Sequence, residues 1–235
     1  MQDSRRPFRQ QLALDLATMP APSLAGFVPG ANAEAVAALS RVADGSPGER
    51  QIFLWGESGS GRTHLLRATM AAIAGRGGRA RYVSLAGADA LAEADADLDG
   101  LALDDVHGLD AATQILAFRI CNAFRARRAA LLVAADAPPA GLGLRDDLAT
   151  RLAWGLVFQL HPLGEADRRS AVCAHARVRG LALSDELLDY VLARAPRDIA
   201  SLLALVDALD RHSLGSRRAV GIALARELLE GGPRT

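Results

Sequence analysis

The chain has 235 residues, 50% hydrophobic and 23% charged, enough to bury one or two cores and too apolar for a disordered chain. Its 27 basic residues, all arginine, balance 27 acids, which excludes a protein that wraps nucleic acid by its net field but leaves room for a local basic patch. No apolar run reaches the roughly 18 residues of a membrane span, no apolar segment backs the polar amino terminus as in a signal peptide, and Cys121 and Cys173 lack ligand-like spacing, so a cytoplasmic protein with reduced thiols and no membrane, metal-cluster or disulfide chemistry is expected.

Residues 1–24 hold three prolines and no long periodic pattern, and read as a tail ahead of the folded body. Within them Gln11-Leu12-Ala13-Leu14-Asp15-Leu16 alternates, the pattern of an extended peptide that docks in a groove or of an arm packed on its own domain. Val36, Leu39 and Val42 are spaced for a helix from Ala33 to Val42, and Asp44 to Glu49 reads as a turn. Strands are expected near 51–55, 80–85, 100–105, 129–135 and 155–160, with a helix from Ala111 to Arg128. Strand alternating with helix implies an α/β parallel sheet with helices on its faces. Beyond Pro162 the pattern becomes helix after helix, near 165–179, 184–194, 197–212 and 219–230. On the third of these, Ile199, Leu202, Leu203, Val206 and Leu209 form an apolar stripe that reads as core. The expected organisation is a tail (1–24), an α/β domain (25–162) and a small all-α domain (163–235).

The most specific signal is Gly56-Glu57-Ser58-Gly59-Ser60-Gly61-Arg62-Thr63, which fits the phosphate-binding loop at every position except one, with Arg62 where lysine is usual. Gly56, Gly59 and Gly61 let backbone N–H groups converge on one concavity, and the following helix aims its positive end at the same spot, so an anion is the natural occupant. Arg62 would meet the outer phosphates with a planar fork, and Thr63 would offer its hydroxyl to magnesium. The apolar strand Leu101-Ala102-Leu103 runs into Asp104 and Asp105. The carboxyl ends of parallel strands share one crevice, so Asp104 is expected to hold magnesium, directly or through its waters, and Asp105 to orient or deprotonate a water. Asp136, ending the strand from Ala129 to Ala135, either faces the γ-phosphate and attacking water or simply caps a turn. Arg151 precedes the fifth strand, where an arginine can project into a neighbouring subunit's nucleotide. Trp154 reads as an apolar anchor beside it, and the scattered histidines, His64 next to the loop included, as packing residues.

Taken together these residues resemble the AAA+ ATPases of the DnaA clade, and within it most the Hda-like proteins, regulatory inactivators of DnaA. The resemblance rests on Phe27-Val28-Pro29-Gly30-Ala31-Asn32, the loop with its Arg62, Asp136-Ala137-Pro138-Pro139, Thr150 to Gly155 and Arg197-Asp198, and covers nearly the whole chain. It implies that Arg62 and Thr63 bind phosphates and Mg2+ of ADP or ATP, that Asp104 and Asp105 are the Walker B pair, and that Asp136 is sensor 1. It makes Arg151 the arginine finger and Arg197 sensor 2, and puts Phe27, Val28 and Asn32 near the adenine. Gln11, Leu12, Leu14 and Leu16 resemble the peptide by which such proteins bind the DNA polymerase III β sliding clamp. The partners implied are that clamp, DnaA, DNA indirectly through the clamp, and further copies of the chain. The implied function is negative regulation of replication initiation by promoting hydrolysis of DnaA-bound ATP, in the cytoplasm and at the nucleoid through the clamp. Two rivals stand beside it: a self-sufficient AAA+ ATPase such as a helicase loader or remodelling factor, and a pure adaptor with a vestigial nucleotide site. Only Gly231 to Thr235 follow the last expected helix, so an origin-binding helix-turn-helix domain is not expected.

Overall fold

The computed structural model describes residues 22–86, 91–195, 198–216 and 220–230, so the peptide from Gln11 to Leu16 and Arg197 lie outside the described residues. The chain divides into two compact units, Ala21–Gly164 and a second containing Glu165–Thr235.

The first unit is a parallel sheet of β1 (Gln51–Gly56), β2 (Ala80–Ser84), β3 (Gly100–Asp104), β4 (Ala130–Ala135) and β5 (Leu156–Leu160), in the order β2-β3-β4-β1-β5. Each strand lies within one residue of the range expected from the sequence. The central strands β3 and β4 are buried along their whole length, because paired neighbours and helices on both faces shut water out. Successive side chains alternate between faces. Ile52 and Leu54 therefore pack with Leu39 of α1 (Ala33–Asp44) and with Leu65 and Leu66 of α2 (Arg62–Gly75). Phe53 points the other way, joining Leu101, Leu103, Leu131 and Val133 under Ile120 and Phe124 of α3 (Ala111–Arg127). Each such side chain taken fully out of water contributes about 1.5–3 kcal/mol.

Local chemistry sets the helix ends. α1 stops at Gly45, whose φ of 73° no side chain opposes, and α3 starts where the Asp110 carboxylate accepts the Thr113 N–H. The short α4 (Asp146–Leu152) precedes β5 and has no counterpart in the sequence reading, since seven residues are too few to show a helical stripe. It is fixed by tertiary contacts instead: Leu148 and Leu152 enter the core, and the Gln51 side chain donates to the Arg151 carbonyl oxygen at 2.7 Å.

The second unit consists of α5 (Glu165–Val178), α6 (Asp185–Arg194), α7 (Ile199–Ser216) and α8 (Ile222–Glu230). Val172, Leu187, Val191, Leu202, Val206, Leu209 and Leu228 meet in its core, the stripe on α7 among them. Asp207 of α7 accepts from Arg179 Nε at 2.6 Å and lies 2.7 Å from His175 Nε2, tying α7 to the end of α5. None of the described helices is long and apolar enough to cross a membrane.

Candidate functional site

The phosphate loop leaves β1 at Gly56, where a Cβ would lie 2.3 Å from the Leu160 carbonyl oxygen of the adjoining strand, so only glycine fits. Gly59 and Gly61 turn the chain with φ of 80° and 96°, and a Cβ on Gly61 would lie 2.5 Å from the Phe27 ring. No side chain caps α2 and its first turn carries no acid, which leaves its leading N–H groups for a ligand. The Ser60 hydroxyl and Arg62 Nη1 are buried without a hydrogen-bond partner, an arrangement that costs free energy unless an acceptor is supplied. A phosphate oxygen is such an acceptor. The residues present thus fit a polyphosphate.

The carboxylates stand beside this loop because β4 separates β1 from β3 by a single strand. Asp104, at the end of β3, is 1% exposed. Its Oδ2 accepts from Thr63 Oγ1 at 2.6 Å and from the Tyr82 hydroxyl at 2.8 Å, and its Oδ1 from the Asp105 N–H at 3.1 Å. All three donors are neutral, and no cation pairs with Asp104 among the described residues. A divalent ion that keeps several waters and takes further oxygens from phosphates suits a carboxylate so placed. The chain turns sharply at Asp105, a half-buried non-glycine residue with φ of 58°. From the intervening strand, Asp136 emerges exposed, 3.9 Å from His107 Nδ1. The Tyr82 hydroxyl is raised above its ordinary value, first by burial and then by the hydrogen bond and charge of Asp104. The Arg67 guanidinium lies 4.4 Å above the Tyr82 ring.

The segment leading into the fold crosses the loop. Phe27 contacts Gly61 and pairs with the His64 ring at 5.6 Å, while His64 Nε2 lies 3.0 Å from the Ser23 carbonyl oxygen. His64 thus ties the entry turn to α2. Val28 is half-buried nearby in sequence. Asn32 corrects the sequence reading: it is 4% exposed, and its amide donates to the His161 carbonyl oxygen and accepts the His161 N–H, both at 2.8 Å. That amide is committed to joining the entry turn to the end of β5 rather than to reading a base.

Arg151, on α4, stacks its guanidinium carbon 3.5 Å from the Trp154 ring centre and 5.4 Å from that of Phe118. None of these contacts is a loop residue, so the structure brings Arg62, Thr63, Asp104 and Asp105 together and sets Arg151 apart. Trp154, expected as an apolar anchor beside Arg151, is 42% exposed and forms a platform for its guanidinium. Leu156 and Val157 on edge strand β5 are exposed as well. Cys121, on α3, is buried and its thiol is pushed up to about 12 by that burial, which leaves it inert. Ser60, Tyr82, Arg67 and His107 were not legible as site residues. For Tyr82 the signal is parity and register: Ser84, two residues on and on the same face, pairs with Asp104.

A family model described as the bacterial DnaA ATPase domain matches residues 22–159, and one described as the Hda lid domain matches residues 165–229. Among solved structures, domain III of the Thermotoga maritima replication initiation protein DnaA aligns with a TM-score of 0.72 at 23% identity, over 90% of this chain and 96% of that one. AMPPCP-bound DnaA from Aquifex aeolicus aligns with a TM-score of 0.68 at 24% identity, over 84% of this chain and 67% of that one. The Thermotoga maritima RuvB branch migration motor shares the fold more distantly, with a TM-score of 0.62 at 15% identity over 89% of this chain and 71% of that one. With over half its length matched by one model, the chain belongs to the bacterial DnaA ATPase-domain family of AAA+ proteins, and it carries a lid of the Hda type.

Proposed function

We propose that this chain restrains replication initiation: its tail peptide holds it on the DNA-loaded DNA polymerase III β sliding clamp, and its Arg151 accelerates hydrolysis of ATP bound to DnaA. The observation that carries the reading is the pairing of a DnaA-type ATPase core with an Hda-type lid in one chain. The Aquifex aeolicus DnaA structure contains AMPPCP, and the unpartnered Ser60 hydroxyl and Arg62 Nη1 here support a nucleotide of the same kind, ADP or ATP with Mg2+. Arg62 and the loop N–H groups bind the phosphates, Thr63 and Asp104 hold the ion and its waters, and Phe27 and Val28 lie toward the base. Arg197 serves as the sensor 2 residue in this reading. A fork at position 62 holds a diphosphate well without reproducing a lysine's geometry at the γ-phosphate, so ADP serves as an organiser of the chain.

The catalytic effect falls on the partner. A guanidinium held on an aromatic platform without an acidic partner among the described residues supports an arginine that completes another molecule's site, an effect generally worth about 10³ to 10⁵ in rate. Attachment to the clamp, through Gln11, Leu12, Leu14 and Leu16, raises the local concentration near replicating DNA, so contact with DNA is indirect and the protein works at the nucleoid. The test is a reconstitution with purified protein, DNA-loaded clamp and ATP-bound DnaA. Loss of ATP from DnaA accelerates with the intact chain and falls by about 10³-fold or to background with Arg151→Ala. Unchanged acceleration with Arg151→Ala rejects the finger.

The Asp104–Asp105 pair, with Asp136 nearby in the topology, favours a second reading, a self-sufficient ATPase such as a helicase loader or remodelling factor. Fast turnover by the isolated protein, lost in Asp105→Ala and indifferent to clamp and DnaA, would establish that reading in place of the first.

A further inference from the structure

We propose that Tyr82 is a positioning residue of the magnesium site, fixing the Asp104 carboxylate so that a single acceptor position is left for the ion's water shell. The inference rests on the reading of the loop as a Mg2+–nucleotide site. Tyr82 belongs to β2, one strand beyond the one that carries Asp104, and the register sets Tyr82 beside Ala102 and Ser84 beside Asp104. The tyrosine therefore shares a sheet face with Asp104, and its ring is long enough to reach forward to the carboxylate, where its hydroxyl donates to Oδ2 at 2.8 Å. On the opposing helix, Thr63 and Arg67 are four residues apart and so share one face of α2. Thr63 donates to the same Oδ2 at 2.6 Å, and Arg67 covers the tyrosine ring at 4.4 Å.

A carboxylate offers about four acceptor positions, and here Tyr82, Thr63 and the Asp105 N–H take three of them. The remaining position is on Oδ1. A carboxylate rotates readily about its last bond, whose preferences are broad and two-fold, unless hydrogen bonds on both oxygens hold it. Thr63 is also the residue asked to give its lone pair to magnesium, so any movement of its oxygen toward the ion would loosen Asp104. Tyr82 has no such second duty. Its hydroxyl keeps Oδ2 occupied while Thr63 adjusts, so Asp104 would keep one orientation with a position on Oδ1 left open. Arg67 in turn keeps the tyrosine ring in place from the solvent side, as a side chain that is itself exposed.

The experiment is an equilibrium titration of ADP binding to the full chain at rising Mg2+ and, separately, with a chelator. Tyr82→Phe removes one oxygen and keeps the ring under Arg67, and thermal unfolding without nucleotide checks that the fold is retained. The half-saturating Mg2+ concentration is expected to rise about tenfold, the usual scale for losing an outer-shell partner, while the affinity for ADP under chelator stays unchanged. In an Asp104→Asn background, Tyr82→Phe is expected to add nothing, since the effect passes through that carboxylate. An unmoved Mg2+ midpoint, or an equal loss of ADP affinity with and without Mg2+, overturns the role of Tyr82. An intact chain whose ADP affinity ignores Mg2+ overturns the reading of the site itself, and the tyrosine's role with it.

Discussion

Arg151 is held by rings rather than by acids. Among the described residues no carboxylate pairs with it, so the charge stays uncompensated at a surface that also exposes Trp154, while Phe118 and Trp154 restrict where the guanidinium goes. An acidic partner would have fixed the side chain equally well and cancelled the charge that the proposed finger role requires. A cation–π contact at an exposed site is worth about 0.5–1 kcal/mol, so Trp154→Leu is expected to reduce stimulation of DnaA-bound ATP hydrolysis about two- to fivefold. ADP binding to this chain should be untouched, because the platform stands apart from the loop; parallel titrations of both quantities check this. The residues legible in sequence were those whose chemistry needs a fixed local spacing, such as Gly56, Gly61, Arg62 and Thr63. The Asn32 amide's partner, the His161 main chain, and the stacking of Arg151 on Trp154 were not legible because both are chosen by packing.

At the scale of elements, the entry to β1 shows how a sheet buries its first strand without stranding polar groups. Glu49 accepts the N–H groups of Arg50 and Gln51 at 2.9 and 3.1 Å, and its two oxygens meet Arg125 Nη1, at the end of α3, at 3.0 and 2.8 Å. Burial pulls the Glu49 carboxyl upward, but the Arg125 hydrogen bond, the two main-chain donors and the Arg125 charge together outweigh it and leave the value below its ordinary 4.5. A carboxyl lowered in the folded state contributes stability that is present at neutral pH and lost as the pH falls through the lowered value. Glu49→Gln is therefore expected to destabilise the fold at neutral pH by no more than about 1 kcal/mol, because the pair is partly exposed, and so to lower the thermal midpoint. The gap to the parent should close once the pH passes below the Glu49 value, and melting curves across the acid range measure it. Strands β1, β3 and β4 were legible because a fully buried strand is an uninterrupted apolar run. Helix α4 was not, since its seven residues are stabilised by Gln51 and by Leu148 and Leu152 in the core rather than by a pattern of their own.

For the molecule as a whole, the proposed clamp tether predicts separate effects on capture and on stability. A peptide that only docks elsewhere contributes little to the core, so Leu14→Ala with Leu16→Ala is expected to abolish capture by the DNA-loaded clamp and leave the thermal midpoint unchanged. Surface-immobilised clamp with melting curves reads both. A parallel fall in thermal stability would instead mark the segment as an arm of the folded body. Each unit closes its own core, around Leu54 and Phe53 in one and Val206 and Leu209 in the other, which is why the change from alternating strand and helix to helix alone after Pro162 marks the division in sequence.

What the sequence determined by itself was everything that depends on neighbours along the chain: the strand runs, the glycine loop, the acid pair ending β3, and the helical stripe of α7. Periodicity and turn chemistry are local, and they are written in consecutive residues. The tertiary structure alone decided which side chains meet across elements. It set Tyr82 against Asp104, spent the Asn32 amide on His161, and laid Arg151 on Trp154. Such pairings follow from strand order, register and the way helices lie on a sheet, and these are fixed by burying both faces of the sheet at once, a condition that no single segment carries.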